Sequence, residues 1–212
     1  MIEGVIFDCD GVLVDSEPLS NLALSEALRG IGLDVSVEEA MATFMGRSWA
    51  DCVRIVEGRL GRPAPAGFAE EYRARRDRLF RERLLPVPGI EAALDELDVE
   101  ACVASSGEHE RIRLALQVTG LLERFDGRIF SATEVARGKP APDLFLHAAG
   151  AMGWAPARCA VVEDTALGVE AAVAAGMRAL GYAGATDPGA LEAAGARVFN
   201  SMGELPGLLR DA

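Results

Sequence analysis

Histidine is nearly absent from this chain, with two residues in 212. The four cysteines, Cys9, Cys52, Cys102 and Cys159, never fall in a Cys-x-x-Cys pair. These shortages leave no spacing for a zinc site and no disulfide framework. Cys9, Cys102 and Cys159 lie in or beside apolar, strand-like runs and read as small buried hydrophobes. No stretch reaches about 18 consecutive apolar residues, the length a membrane helix needs. The N-terminal MIEGVIFDCD has no basic region followed by a long apolar run, so no secretory leader is expected. A soluble, cytoplasmic protein is the expectation. Basic residues are also in deficit: 21 Lys and Arg against 33 Asp and Glu, a net charge of −12. Such a field repels nucleic acid and anionic membranes, and neither is expected as a partner. A small anion meets the same field, so any phosphate site here needs concentrated local positive charge. Repeats and low-complexity segments are missing as well.

What is present is a large apolar fraction, 50% of residues, enough for one sizeable core or a core with a smaller insertion. Residues 2–7 (IEGVIF) form an apolar run ending on Asp8, followed by a polar, Gly-containing turn. From about 18 to 85 the chain reads as helix after helix. Leu19, Leu22, Ala23, Ala27 and Leu28 fall near helical spacing, and Gly30 and Gly32 stop that helix. Ser36 with Glu39 makes a capping-box start for the next one. Further helices are expected near 48–60 and 67–84. After LLPVPG the pattern alternates, with helices leading to strands at 101–105, 128–131, 159–162, 178–181 and 197–199. Helices alternating with buried apolar strands predict an α/β fold with a doubly wound, mostly parallel, Rossmann-like sheet. The helical block is too long for an ordinary connection. It therefore reads as an inserted helical domain, 15–85, in a core made of 1–14 and 86–212.

Ligands in such sheets bind beyond the carboxyl ends of the strands. Polar clusters fall there or in the loops beyond: Asp8 and Asp10; Ser105, Ser106 and Gly107; Lys139; and Glu163, Asp164 and Thr165. Each residue type suits phosphoryl transfer from a monoester. Clustered carboxylates call for a cation, and Mg²⁺ favours a few carboxylates plus water and phosphate oxygens. A carboxylate can attack phosphorus. A second one, two residues on, can protonate the leaving oxygen and later activate water. Lys139 can neutralise nucleophile and phosphate together, and Ser105 with the helix start behind it supplies donors. Taken singly, each has a plainer account. Asp10 precedes Gly11 in a turn, Ser105 with Glu108 matches a capping box, Asp164 and Thr165 could cap a helix, and Lys139 could be a solvated loop lysine. Their convergence on one end of one sheet is what favours chemistry.

The stretches FDCDGVLVDSEP, VASSG, GKPAPD and VVEDTALG, in this order, resemble the four signature motifs of the haloacid dehalogenase superfamily. The helical insertion looks like that superfamily's α-helical cap, and the nearest likeness is to the β-phosphoglucomutase-like branch of sugar-phosphate phosphatases and mutases. The resemblance implies a role for each matching residue. Asp8 would be the nucleophile and a Mg²⁺ ligand. Asp10 would be the acid/base, with its backbone carbonyl on the metal. Ser105 would bind the phosphoryl group, and Lys139 would bridge it to Asp8. Asp164 would be the acidic metal ligand, and Glu163 a direct or water-mediated one. Gly11, Ser106, Gly46, Arg47 and Arg75 complete the expected substrate-binding set. An acid/base at position 10 argues against the dehalogenases, which need none there.

In the mutase, cap His and Arg residues help the sugar phosphate reorient, and the equivalent positions here are Ser20 and Trp49. That departure favours hydrolysis over the alternative, a phosphomutase. A phospho-accepting signalling module is a remote alternative, because its acceptor aspartate lies on a later strand and it has no long helical insertion. Most arginines of EEYRARRDRLFRERL read as a solvated face, with Arg75 the one matching a substrate-facing lysine of the mutase. His147 reads as structural, and His109 as a first-turn helix residue. Trp49 could pack within the cap or stack on a substrate. The expected partner is a small phosphorylated metabolite, a sugar or sugar-acid phosphate. The expected state is a monomer.

Overall fold

The computed structural model describes residues 2–44 and 49–210. Within it the chain forms two compact units, Met1–Asp15 with Leu85–Ala212, and Ser16–Leu84.

The first unit is built on a six-stranded sheet: β1 (Gly4–Phe7), β2 (Glu100–Ser105), β3 (Ile129–Ser131), β4 (Cys159–Glu163), β5 (Arg178–Tyr182) and β6 (Arg197–Phe199). All neighbouring pairs are parallel, in the order β3-β2-β1-β4-β5-β6. This is the doubly wound α/β arrangement, with the reversal of strand order at β1. The connecting helices in this unit are Ile90–Asp95, His109–Val118, Asp143–Met152, Ala166–Ala174, Pro188–Ala194 and Leu205–Arg210. Helices on both faces explain why GVIF of β1 and CAVVE of β4 are buried along their full length rather than alternately. Ile6, Cys102, Ala104, Val161, Leu144, Phe145 and Val169 share one core cluster. Full burial of each Ile, Val, Leu or Phe contributes roughly 1.5–3 kcal/mol. The strands at 129–131 and 197–199 are short, which fits their edge positions.

The second unit is all-helical: α1 (Glu17–Gly30), α2 (Val37–Phe44), α3 (Trp49–Leu60) and α4 (Phe68–Arg83). Pro18 in its first turn and Glu17 near its positive end favour the start of α1. Its buried face, including Leu24, Ala27 and Leu28, packs with Val35, Phe44, Val56 and Phe68. The Ser36 side chain accepts from the Glu39 amide at 3.1 Å, as the capping pattern predicts. Trp49 stacks with Phe68 (5.9 Å) and with Tyr72 (4.9 Å). These contacts are packing inside the helical unit. Arg76 departs from a solvated face: its side chain is 12% exposed, pairs with Asp77 and lies over the rings of Tyr72 and Phe80.

Candidate active site

The Asp8 amide donates to the Val162 carbonyl at 2.9 Å, carrying the β1–β4 ladder one residue past the strand. Asp8 therefore stands at the carboxyl end of the sheet, where the strand order reverses, and it is 7% exposed. The chain turns back at once. The Leu13 and Val14 amides both donate to the Cys9 carbonyl, and the Gly11 amide to the Val14 carbonyl. Gly11 adopts φ +72°, and a Cβ there would lie 2.0 Å from Asp164 Oδ2. Only glycine allows both that backbone and so close an approach between the first loop and the carboxylate after β4.

Lys139 arrives from the loop after β3. Its Nζ donates to Asp8 Oδ1 at 2.7 Å and to Glu163 Oε1 at 2.5 Å, and its side chain is 7% exposed. The other Glu163 oxygen, Oε2, accepts from the Asp164 amide, the Thr165 amide and the Thr165 hydroxyl, at 2.8–2.9 Å. Thr165 in turn caps the Ala166–Ala174 helix by accepting from the Gly168 amide. The plainer account of this stretch thus holds for Thr165, while Glu163 and Asp164 face the sheet end. A buried glutamate so fully bonded is tolerated because charge-assisted hydrogen bonds offset its desolvation.

Asp8, Glu163 and Asp164 each offer a carboxylate oxygen within 4.8 Å of the others. Burial pushes the Asp8 carboxyl up to about 7; Lys139 opposes the rise, and Glu163 and Asp10 add to it. Burial works against the Lys139 ammonium too, but Asp8 and Glu163 overcome it and hold the lysine firmly charged. One ammonium among three carboxylates leaves the cluster short of positive charge. Its donors are all hard oxygens, the set that suits Mg²⁺ rather than a thiolate- or imidazole-seeking metal. Oε2 of Glu163 is saturated by its three donors, so only Oε1, already bonded to Lys139, is left to face a cation.

Ser105 ends β2 and is 1% exposed. Its spacing to Glu108 matches a capping box, yet the hydroxyl caps nothing. Residue 105 is still in register with Ser131 on the sheet, and the next helix begins only at His109, with Glu108 at its N-cap and no side-chain cap. Instead the Ser105 hydroxyl accepts from the Gly107 amide at 3.2 Å. The buried Ser131 hydroxyl donates to the Gly107 carbonyl at 2.6 Å and braces the loop. Ser106 is exposed on it.

Asp10, half-buried, meets a partner that sequence reading passes over. Arg111 donates Nη1 to Asp10 Oδ1 at 2.6 Å and Nη2 to Asp10 Oδ2. The pair spans 101 positions of sequence. Burial opposes the Arg111 charge, and Asp10 more than restores it, so its pKa rises. The available clue was spacing: Arg111 lies four residues after Gly107, one helical turn from the loop.

Arg75 pairs with Glu26 (3.3 Å) and Glu71 (2.7 Å) inside the helical unit. Gly46 and Arg47 lie outside the described residues. His109 and His147 both approach Glu134, at 3.1 and 3.7 Å, and His147 packs edge-on against Phe130. All four cysteines are free and buried. Among the described residues, no helix is long and apolar enough to cross a membrane.

A family model described as haloacid dehalogenase-like hydrolase matches residues 2–176. The chain is 33% identical over 177 residues to 6-phosphogluconate phosphatase of Escherichia coli (strain K12), covering 83% of this chain and 80% of that protein. It is 32% identical over 178 residues to a fructose-1-phosphate phosphatase of the same organism, covering 84% and 94%. A haloacid dehalogenase family hydrolase from Deinococcus radiodurans R1, solved with bound phosphate and sodium, superposes with a TM-score of 0.81 at 31% identity, covering 99% of this chain and 96% of that one.

Proposed function

The chain belongs to the haloacid dehalogenase-like hydrolase family and is a phosphoric monoester hydrolase, and from that membership we propose a Mg²⁺-dependent phosphatase acting on a sugar or sugar-acid phosphate through an aspartyl-phosphate. The observation that carries this reading is the buried Asp8 carboxylate held at 2.7 Å by Lys139, with Asp164 close enough to share a cation. Asp8 and Asp164, with the Asp10 carbonyl, would hold Mg²⁺, which would supply the positive charge that the carboxylates and a phosphate together demand. Glu163 serves first as the counter-ion of Lys139.

In the first step an Asp8 oxygen attacks phosphorus. The bond to the ester oxygen breaks, its electron pair stays on that oxygen, and Asp10 gives it a proton. In the second step Asp10 takes a proton from water as the water oxygen attacks phosphorus, releasing phosphate and restoring Asp8. Ser105 and the amides of its loop hold the phosphoryl oxygens, and Lys139 neutralises Asp8 and the transferring group together. Substrate choice is assigned to the helical unit, in the cap role that the resemblance implies. Phosphatase activity of two relatives on 6-phosphogluconate and fructose-1-phosphate supports the substrate class.

Asp8→Asn tests the mechanism. Mg²⁺-dependent phosphate release should fall by about 10³-fold or more. A variant with near-wild-type turnover would refute the nucleophile assignment. A panel of sugar phosphates, phosphogluconate, phosphoglycolate and nucleoside monophosphates ranks the substrates. Isomerised product with little free phosphate would replace the hydrolase reading with the mutase one.

A further inference from the structure

Asp10 is the residue with the most demanding task in the proposed cycle, because it must reach the leaving oxygen first and a water later. A short aspartate on a tight turn has rotational freedom about two torsions. In this protein that freedom is removed from outside the turn. The Arg111 fork engages both Asp10 oxygens, one through Nη1 at 2.6 Å and the other through Nη2. The geometry is the two-point guanidinium–carboxylate pair, which fixes the carboxylate plane as well as its position. The pair is largely sheltered, with 15% of the Arg111 and 20% of the Asp10 side chain exposed.

The fold makes specific room for that guanidinium. A Cβ on Gly107 would lie 2.4 Å from Arg111 Nη2, 2.6 Å from Nε and 2.8 Å from Cζ. Any side chain at 107 would push the fork off Asp10. The same loop carries Ser105 and is braced by Ser131. Arg111 therefore ties the first loop of the site to the loop after β2, and Gly107 is the space it occupies.

We propose that Arg111 is a positioning residue for Asp10, setting the plane and reach of the acid/base carboxylate, and that Gly107 is small to admit it. The inference rests on the assignment of Asp10 as acid/base. It differs from the role of Lys139, which contacts the nucleophile directly.

The test uses the full-length enzyme with Mg²⁺ and compares Arg111→Gln, Arg111→Lys, Asp10→Ala and the Asp10→Ala/Arg111→Gln double variant. Two substrates are needed: a sugar phosphate, whose poor leaving group needs a proton, and p-nitrophenyl phosphate, whose good one does not. For Arg111→Gln, kcat/KM on the sugar phosphate should fall about 10- to 100-fold, within what an acid/base contributes. On p-nitrophenyl phosphate, kcat/KM should change less than about threefold, because that constant covers only the step not needing the proton. Arg111→Lys keeps the charge but loses the fork, and should fall between wild type and Arg111→Gln. With Asp10 already removed, Arg111→Gln should cost nothing more. Equal losses on both substrates, or a further loss in the Asp10→Ala background, overturn the positioning role while leaving the acid/base assignment standing. Full recovery by Arg111→Lys also overturns it, since charge alone would then suffice. Should Asp10→Ala itself show no leaving-group-dependent loss, the acid/base reading falls and the positioning role with it. Arg111→Lys keeps the comparison alive if Arg111→Gln fails to fold.

Discussion

Among the described residues, two cations stand at this site, and they are built in opposite ways. Lys139 is a point charge on a flexible stem, shared between Asp8 and Glu163 of two adjacent strands. Arg111 is a planar fork committed to a single carboxylate, Asp10. A shared point charge neutralises without dictating orientation, whereas a fork dictates orientation. The difference matches the two tasks. In the proposed cycle, Asp8, pressed among other acids, needs charge compensation, while Asp10 as acid/base needs aim.

The comparison can be broken most forcefully at Lys139. Lys139→Met strands two buried carboxylates, so turnover should drop by about 10³-fold, measured as phosphate release. Stability should drop by about 3–5 kcal/mol, measured by denaturant unfolding. Retention of both would mean that the shared charge is dispensable. Exchanging the head groups is subtler. Lys139→Arg keeps the charge but puts a fork where two separated oxygens await a point, and about a 10²-fold loss is expected in the same assay. A smaller loss than that of Arg111→Lys would reverse the assignment of tasks.

The burial of Asp8, with other acids close by, also gives a pH test. Its folded carboxyl titrates at about 7, above the roughly 3.9 of an unfolded chain. Between those values the folded state holds more protons, so stability from this group is full below about pH 4 and is lost as pH rises through about 7. In EDTA, the Tm of wild type relative to Asp8→Asn should fall from pH 5 to pH 8. Mg²⁺ should raise the wild-type Tm more at pH 8 than at pH 5. A pH-independent difference would remove the account of a carboxyl raised by burial and neighbouring acids. The smallest effect is expected in the helical unit. Arg75 is already paired with Glu26 and Glu71, so Arg75→Gln should alter KM by less than about threefold. A larger rise would assign Arg75 to the substrate.

Much of this was legible in the chain. The strands at 101–105 and 159–162 stood out because burial on both faces enforces uninterrupted apolar runs. Asp8, Ser105 and Glu163 were placed by the same logic, since each closes or follows such a run. Gly11 was countable as a site residue, but its necessity depends on Asp164 arriving 2.0 Å from where its side chain would begin. Ser105 with Glu108 shows local pattern misleading: the spacing fits a cap, and sheet pairing with Ser131 overrides it.

By itself, then, the sequence determined the elements, their α/β order and which acids and hydroxyls lie at strand ends, because periodicity and strand termini are local properties. Only the tertiary structure decided who pairs with whom. Lys139 choosing Asp8 and Glu163, and Arg111 choosing Asp10 across 101 positions, depend on which strands and loops become neighbours. Electrostatic partnership is set by distances of a few ångströms in space, and separation along the chain carries no record of them.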